Sequence, residues 1–156
     1  MRGAIDRFLE AARELGIEPD VRRFPVGTKT AKDAAAAIGC DVAQIVKSLV
    51  FLADGRPVLA FTSGANRVDP AKLAAAAGAT AARRATPEEA RRATGFAVGG
   101  TPPFGHPRRV RAWADPALLE FDEIWAAGGT PDSVFPLSPA ELLRCTGAQI
   151  ADFIEV

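Results

Sequence analysis

Apolar residues recur at helical spacing from the start of the chain. Ile5, Phe8, Leu9, Ala12 and Leu15 fall on one face, and Gly16 supplies a stop. A second helix begins at Thr30, whose hydroxyl can cap it with Asp33 three residues on in a capping-box-like arrangement, and Gly39 ends it. The period then changes. Residues 45–52 and 57–62 are apolar, β-prone runs joined by Ala53-Asp54-Gly55-Arg56, and Asp-Gly between such runs signals a hairpin. Asp69-Pro70 opens a third helix that Gly78 follows, and Thr86-Pro87-Glu88-Glu89 is a capping box for a fourth, which Gly95 terminates. Residues 96–98, 110–113, 123–126 and 134–137 are strand candidates, with short helices starting at Asp115-Pro116 and Ser138-Pro139. Residues 150–154 are placed to close the sheet. No repeat or linker divides the chain, so one domain over residues 1–156 is expected. Strands and helices intermix without a regular βαβ rhythm. The pattern predicts an α+β fold: a mixed, largely antiparallel, barrel-like sheet surrounded by helices.

Composition narrows the class without changing that picture. Of 156 residues, 48% are hydrophobic and 24% charged, an ordinary globular balance. The 19 basic residues cancel the 19 acidic ones, so no global field draws the chain onto nucleic acid. Any RNA contact is therefore local, one strand end rather than a long duplex. Cys40 and Cys145 are too few for a disulfide framework. The N-terminus, Met1-Arg2-Gly3-Ala4-Ile5-Asp6, carries charge where a signal peptide needs an apolar run. No apolar run approaches the roughly 20 residues of a membrane span. A cytoplasmic protein is expected. The alanine runs at 34–37 and 74–77 are helix formers that carry no chemistry.

Candidate chemistry sits in three places. Lys47 is the only charge in Ile45-Val46-Lys47-Ser48-Leu49-Val50-Phe51-Leu52, and alternation puts it on one face with Ile45, Leu49 and Phe51. A buried ammonium needs a partner or a wet cavity; the competing reading is a lysine that snorkels or guards a sheet edge. The second place is Gly99-Gly100-Thr101-Pro102-Pro103-Phe104-Gly105-His106-Pro107. Its glycines let a substrate approach the backbone, successive N–H groups can form a carbonyl- or anion-binding nest, and its prolines stiffen the loop. It lacks the Walker and dinucleotide spacings, and a rigid connection between strands is the plainer reading. His106, the only histidine, has no Ser or Cys elbow nearby, so a structural or substrate-contacting role is favoured over acid–base work. No ligand spacing suggests a metal, and no cofactor is expected. The third place is Ala127-Gly128-Gly129-Thr130-Pro131-Asp132, a second Gly-Gly loop after a strand. Arg22-Arg23, Arg83-Arg84, Arg91-Arg92 and Arg108-Arg109 with Arg111 are scattered pairs. They read as solvated faces, able to contact a few phosphates only if they share a side.

Taken together, 45–50 with its lysine, the Gly-x-x-x-Pro loop 99–103 extended by Phe104-Gly105-His106, and Ala127-Gly128-Gly129 resemble the YbaK family. That family includes the editing domain inserted in bacterial prolyl-tRNA synthetases and its free-standing relatives. The resemblance runs from the Thr30 helix to the C-terminal strand. It implies a trans-editing deacylase that hydrolyses the ester of mischarged tRNA, typically tRNA for proline carrying a small non-cognate amino acid such as alanine, cysteine, serine or threonine. A synthetase pocket rejects a smaller or isosteric amino acid by only about 10–200-fold, so translation fidelity needs a second site.

Fitted to this inventory, backbone N–H groups near Gly99, Gly100 and Thr101 hold the ester carbonyl, and Lys47 anchors the terminal phosphate or the carbonyl. Pro103, Phe104, Gly105 and His106 extend that substrate loop. Gly128, Gly129 and Asp132 shape the amino-acid pocket, with Thr30 and Asn66 on its rim. The neighbouring ribose hydroxyl positions water. The implied partners are the acceptor end of aminoacyl-tRNA and a prolyl-tRNA synthetase. Two alternatives stay open: a non-catalytic module that binds aminoacyl-tRNA or a synthetase, and a small-molecule hydrolase on the same scaffold.

Overall fold

A computed structural model of the chain describes residues 3–25, 28 and 30–156. Met1 and Arg2 of the charged N-terminus lie outside the described residues. In chain order the helices and strands are α1 (Ala4–Glu14), β1 (Arg22–Arg23), α2 (Ala31–Ile38), β2 (Val46–Ala53), β3 (Arg56–Ser63), α3 (Pro70–Ala77) and β4 (Ala82–Arg84). They continue with α4 (Pro87–Thr94), β5 (Arg111–Ala114), β6 (Ile124–Ala127), β7 (Ser133–Leu137), α5 (Pro139–Thr146) and β8 (Gln149–Ile150). Short 3-10 helices occupy Val42–Gln44 and Pro116–Glu120.

Helix boundaries follow the capping residues read from the sequence. Thr30 accepts from the Asp33 amide, Asp69 from Ala71 and Lys72, and Thr86 with Glu89 forms a reciprocal box, as does Ser138 with Glu141. Each cap satisfies amides that the first turn leaves without a helical partner. The hairpin also forms as predicted, from Val46↔Ser63 to Ala53↔Arg56, turning through Asp54 at φ 50° and Gly55 at φ 81°. A two-residue turn of this kind needs positive φ at both positions. The Asp54 carboxylate fixes it further by accepting from the Thr80 and Ala81 amides.

The strands divide between two sheets. One has the order β4-β2-β3-β5-β8, with β3–β5 and β5–β8 parallel; the other is an antiparallel β1-β7-β6. The mixed pairing is as expected; in place of one barrel-like sheet there are two sheets, which meet at the parallel bridge Ile45↔Trp125. Burial on both faces explains the unbroken apolar runs of the hairpin. Val46, Val50, Leu59 and Phe61 face a main core with Phe8, Phe104 and Phe135, whereas Phe51, Ala53, Val58 and Ala60 face a second cluster with Leu73, Trp113 and Phe153.

Phe8 ties α1 to that main core. It is fully buried, with ring centroids 4.7 Å from Phe135 and 5.1 Å from Phe104. Phe8→Ala is expected to destabilise the fold by about 3–5 kcal/mol, the usual cost of an unfilled aromatic site. Chemical denaturation should show a lower midpoint with an unchanged slope.

Residues 96–98 are not a strand. Gly100 N–H donates to the Ala97 carbonyl and Phe96 N–H to the Thr94 hydroxyl, so the amides close local turns instead of a ladder. Of residues 150–154, Ile150 joins Gln149 in the two-residue β8, and Ile154 forms the bridge with Val68. β1 and β4 were not legible, being two or three residues of mostly exposed arginine with no alternation to read. Among the described residues, no helix is long and apolar enough to cross a membrane.

Candidate active site

β2 pairs with β3 along its whole length, but its other edge is only partly covered. β4 reaches Phe51, Leu52 and Ala53 alone, and β6 touches the chain just before β2 through the Ile45 bridge. A cavity of about 540 Å³ lies along the edge left between them, in the gap between the two sheets. Alanines from several elements line it: Ala31 and Ala34 of α2, Ala90 of α4, Ala126 and Ala127 of β6. Trp125, Val98, Gly99 and Thr101 complete much of the wall.

Lys47 lines this cavity, half-buried, with its ammonium donating to the Asn66 carbonyl at 2.5 Å. The Asn66 amide in turn donates to Asp115 Oδ2 at 2.9 Å, which also accepts from Ser63 N–H at 3.1 Å. Asp115 Oδ1 accepts from the Ala117 amide, which caps the following 3-10 helix. Asp115 is only 2% exposed, so a buried carboxylate fixes the carbonyl that holds the lysine. Burial pushes the Lys47 ammonium below its ordinary pKa of 10.5, aided by the nearby positive charges of Arg84 and Arg67 and opposed by Asp115. Alternation placed Lys47 correctly with Leu49 and Phe51, which pack in the second cluster; Ile45 precedes the strand and packs beside Trp125.

The two Gly-Gly loops meet. A Cβ on Gly100 would lie 2.7 Å from the Thr130 backbone, so only glycine permits this approach. Of the first loop, Gly99 (φ 86°) and Thr101 reach the cavity. The Gly100 N–H is already committed to Ala97, which corrects the expectation of a donor there. The Gly99 and Thr101 amides have no acceptor among the described residues.

Other residues named from the sequence separate. Thr30 lines the cavity and Asn66 stands one hydrogen bond behind Lys47. Pro103, Phe104, Gly105 and His106 face a different cleft on the far side of the loop, with Phe104 packed against Phe8. Gly128 packs on Val21, and Gly129 against the Ala4 backbone. Asp132 binds the Thr130 hydroxyl and Arg23, which hold its carboxyl below the usual range. These three support the second loop from behind the cavity wall, where Ala127 is its lining residue.

Sequence reasoning missed three residues on the wall. Ser48 has a buried hydroxyl with no hydrogen-bond partner among the described residues. Such a group costs roughly 1–3 kcal/mol unless a ligand satisfies it. Arg84 lines the cavity while its neighbour Arg83 is engaged by both oxygens of Glu89. Trp125 carries the bridge between the sheets. Strand position alone distinguishes Arg84 from Arg83, and β4 gave no sequence signal.

His106 is half-buried, and its Nε2 lies 2.8 Å from the Pro102 carbonyl, to which it must donate. Burial lowers its pKa below the ordinary 6.5, with the Pro102 bond opposing. The unfolded chain therefore binds the proton more readily, so stability should fall as pH drops below 6.5 toward the folded-state value. Thermal melts of wild type and His106→Gln across mildly acidic pH should diverge in slope if this holds.

Residues 26–145 match the family described as the aminoacyl-tRNA editing domain. The chain is 32% identical over 126 residues to the uncharacterized protein YwhH of Bacillus subtilis (strain 168), covering 80% of each chain. It is 36% identical over 102 residues to a proline–tRNA ligase of Nitratidesulfovibrio vulgaris (strain DP4), a match over 65% of this chain and 18% of the ligase. The chain thus spans under a fifth of that ligase. Among solved structures it resembles a protein described as a candidate trans-editing enzyme for prolyl tRNA synthetase, at TM-score 0.93 and 45% identity, covering 100% and 99% of the two chains. It also resembles hypothetical protein APE2540, at TM-score 0.87 and 29% identity, covering 96% and 99%. Among the described residues, no group of three or more His, Cys, Asp or Glu is placed to hold a metal ion.

Proposed function

The chain belongs to the aminoacyl-tRNA editing domain family, and we propose that it hydrolyses the ester joining a small non-cognate amino acid to tRNA for proline, acting in trans. One observation carries this reading: Lys47, Gly99 and Thr101 line one cavity, and the Gly99 and Thr101 amides have no acceptor among the described residues. An ester there would present its carbonyl oxygen to the two N–H groups, which stabilise the oxyanion as water adds to the carbon. The Lys47 ammonium supplies a fixed positive charge for that oxygen or for the terminal phosphate. The neighbouring ribose hydroxyl orients the water, since no histidine or carboxylate stands on the cavity wall among the described residues. Collapse of the tetrahedral intermediate breaks the bond to the ribose oxygen, which takes up the proton given up by the attacking water, and frees the amino acid.

The alanine-rich wall offers apolar contact to an aliphatic side chain. Ser48 offers a hydrogen bond to whatever polar atom enters beside it. Resemblance to a candidate trans-editing enzyme for prolyl tRNA synthetase supports the choice of tRNA.

The test is deacylation of tRNA for proline charged with alanine, cysteine, serine, threonine, 2-aminobutyrate or proline. Hydrolysis of some non-cognate esters with prolyl-tRNA spared is the expected result. No hydrolysis of any ester, with tRNA or synthetase binding retained, would replace this reading with a silent binding module.

A further inference from the structure

The loop that walls the cavity also walls a second concavity. Gly99 and Thr101 face the cavity, while Pro103, Phe104 and His106 face a cleft of about 360 Å³. Two peptide steps, at most about 7.6 Å between Cα atoms, separate Thr101 from Pro103. Pro102 and Pro103 are buried, so this partition is stiff.

The chemistry of the cleft is one-sided. Arg108 and Arg109 reach it from the chain after the loop, and Arg144 from the last turn of α5, yet among the described residues no Asp or Glu lines it. None of the three arginines has an ion pair among the described residues. Arg22, Arg23, Arg83 and Arg92 are each paired with a carboxylate. Arg111 stacks 4.8 Å from the Trp113 ring instead of joining the cleft. Two of the cleft arginines are already positioned: Arg144 donates to the Leu15 carbonyl at 3.3 Å, and the Arg109 guanidinium lies against Gly147. In a chain with balanced charge, three unpaired guanidinium groups around one concavity form a local anion site.

We propose that this cleft binds backbone phosphates of the same polynucleotide whose aminoacylated end enters the cavity, making it the contact that distinguishes tRNA from a small ester. The proposal rests on the deacylase reading for the identity of the strand. A nucleic-acid strand carries a phosphate about every 3.4 Å of helical rise, so a few nucleotides suffice to cross the loop. Arginine suits such contacts because its planar fork meets phosphate oxygens in pairs.

Arg108→Ala/Arg109→Ala and Arg144→Ala test this, since all three side chains are exposed and their loss should leave the fold intact. On alanyl-tRNA for proline, the double variant should raise KM roughly tenfold with kcat little changed, and flatten the salt dependence of KM by about 0.7–0.9 in log–log slope per phosphate lost. On 3′-alanyl-adenosine, which has no upstream phosphate, wild type and variants should be equal. An unchanged KM and salt slope on tRNA overturns the proposal, and so does an equal loss on both substrates. If wild type hydrolyses neither substrate, the deacylase reading fails. Anisotropy with labelled uncharged tRNA then decides the cleft: weaker binding by the variants sustains it, equal binding overturns it. Inorganic phosphate bound by wild type and lost in variants that still bind tRNA normally would assign the cleft to free phosphate and overturn the tRNA contact.

Discussion

Lys47→Ala is expected to lower enzyme-dependent deacylation by about 10²–10³-fold, the range seen when one preorganised oxyanion partner is removed, with the melting temperature little changed. The two readouts separate because the fold does not favour the charge. Burial and the positive charges of Arg84 and Arg67 push the ammonium below its ordinary pKa of 10.5, so the unfolded chain holds that proton more tightly. Below the folded pKa the charged lysine is a standing penalty on stability. The penalty is relieved as pH rises through the folded value toward 10.5, so stability gains over that window. Activity should move the opposite way, since deprotonation removes the positive charge from the cavity. Opposed slopes of stability and rate in the same alkaline window would mark a lysine kept for function. Lys47→Ala should flatten both. Full activity in that variant, after subtraction of spontaneous ester hydrolysis, would sink the assignment.

Lys47 was legible because it breaks an apolar run, and a lone charge in such a run is visible without knowing the fold. The helix ends were legible for a similar reason: Thr30, Asp69, Thr86 and Ser138 act on amides two or three residues away. The hairpin turn is equally local. What stayed hidden depends on pairing between distant segments. Ser48 sits in the same run as Lys47, but a serine in a strand is unremarked until β2 is seen to have an open edge. The loop residues 99–106 read as one feature, yet the structure turns Thr101 toward the cavity and His106 toward the arginine cleft. Periodicity assigns a face to a residue and says nothing about which cavity that face meets. Gly128 and Gly129 show the same limit, since a Gly-Gly pair signals close approach without naming what approaches. Their neighbours are Val21 and the Ala4 backbone, from the opposite end of the sequence.

Gly100→Ala should damage both stability and rate, because the added methyl meets backbone on every near side. Its Cβ would stand 2.7 Å from Thr130 Cα and C, and 3.0 Å from Pro131 N. Main-chain atoms cannot swing aside as a side-chain tip can, so one loop must shift. The second loop is poorly able to yield: Thr130 N–H donates to Ser133 Oγ at 3.1 Å, and the Pro131 carbonyl accepts from both the amide and the hydroxyl of Thr28. Moving Thr130 therefore disturbs Thr28, itself on the cavity wall. Moving Gly100 instead displaces the Gly99 and Thr101 amides on either side of it. Overpacking of this kind costs about 1–3 kcal/mol, and misplacing catalytic donors by about 1 Å can lower a rate 10²-fold. Gly128→Ala is the internal comparison, since the three atoms nearest its Cβ would be Val21 and Ser133 side-chain atoms at 3.1–3.4 Å. That variant should show a small loss of stability and a near-normal kcat. If Gly100→Ala matched it in both melting temperature and turnover, the contact between the two loops would not be what places the donors.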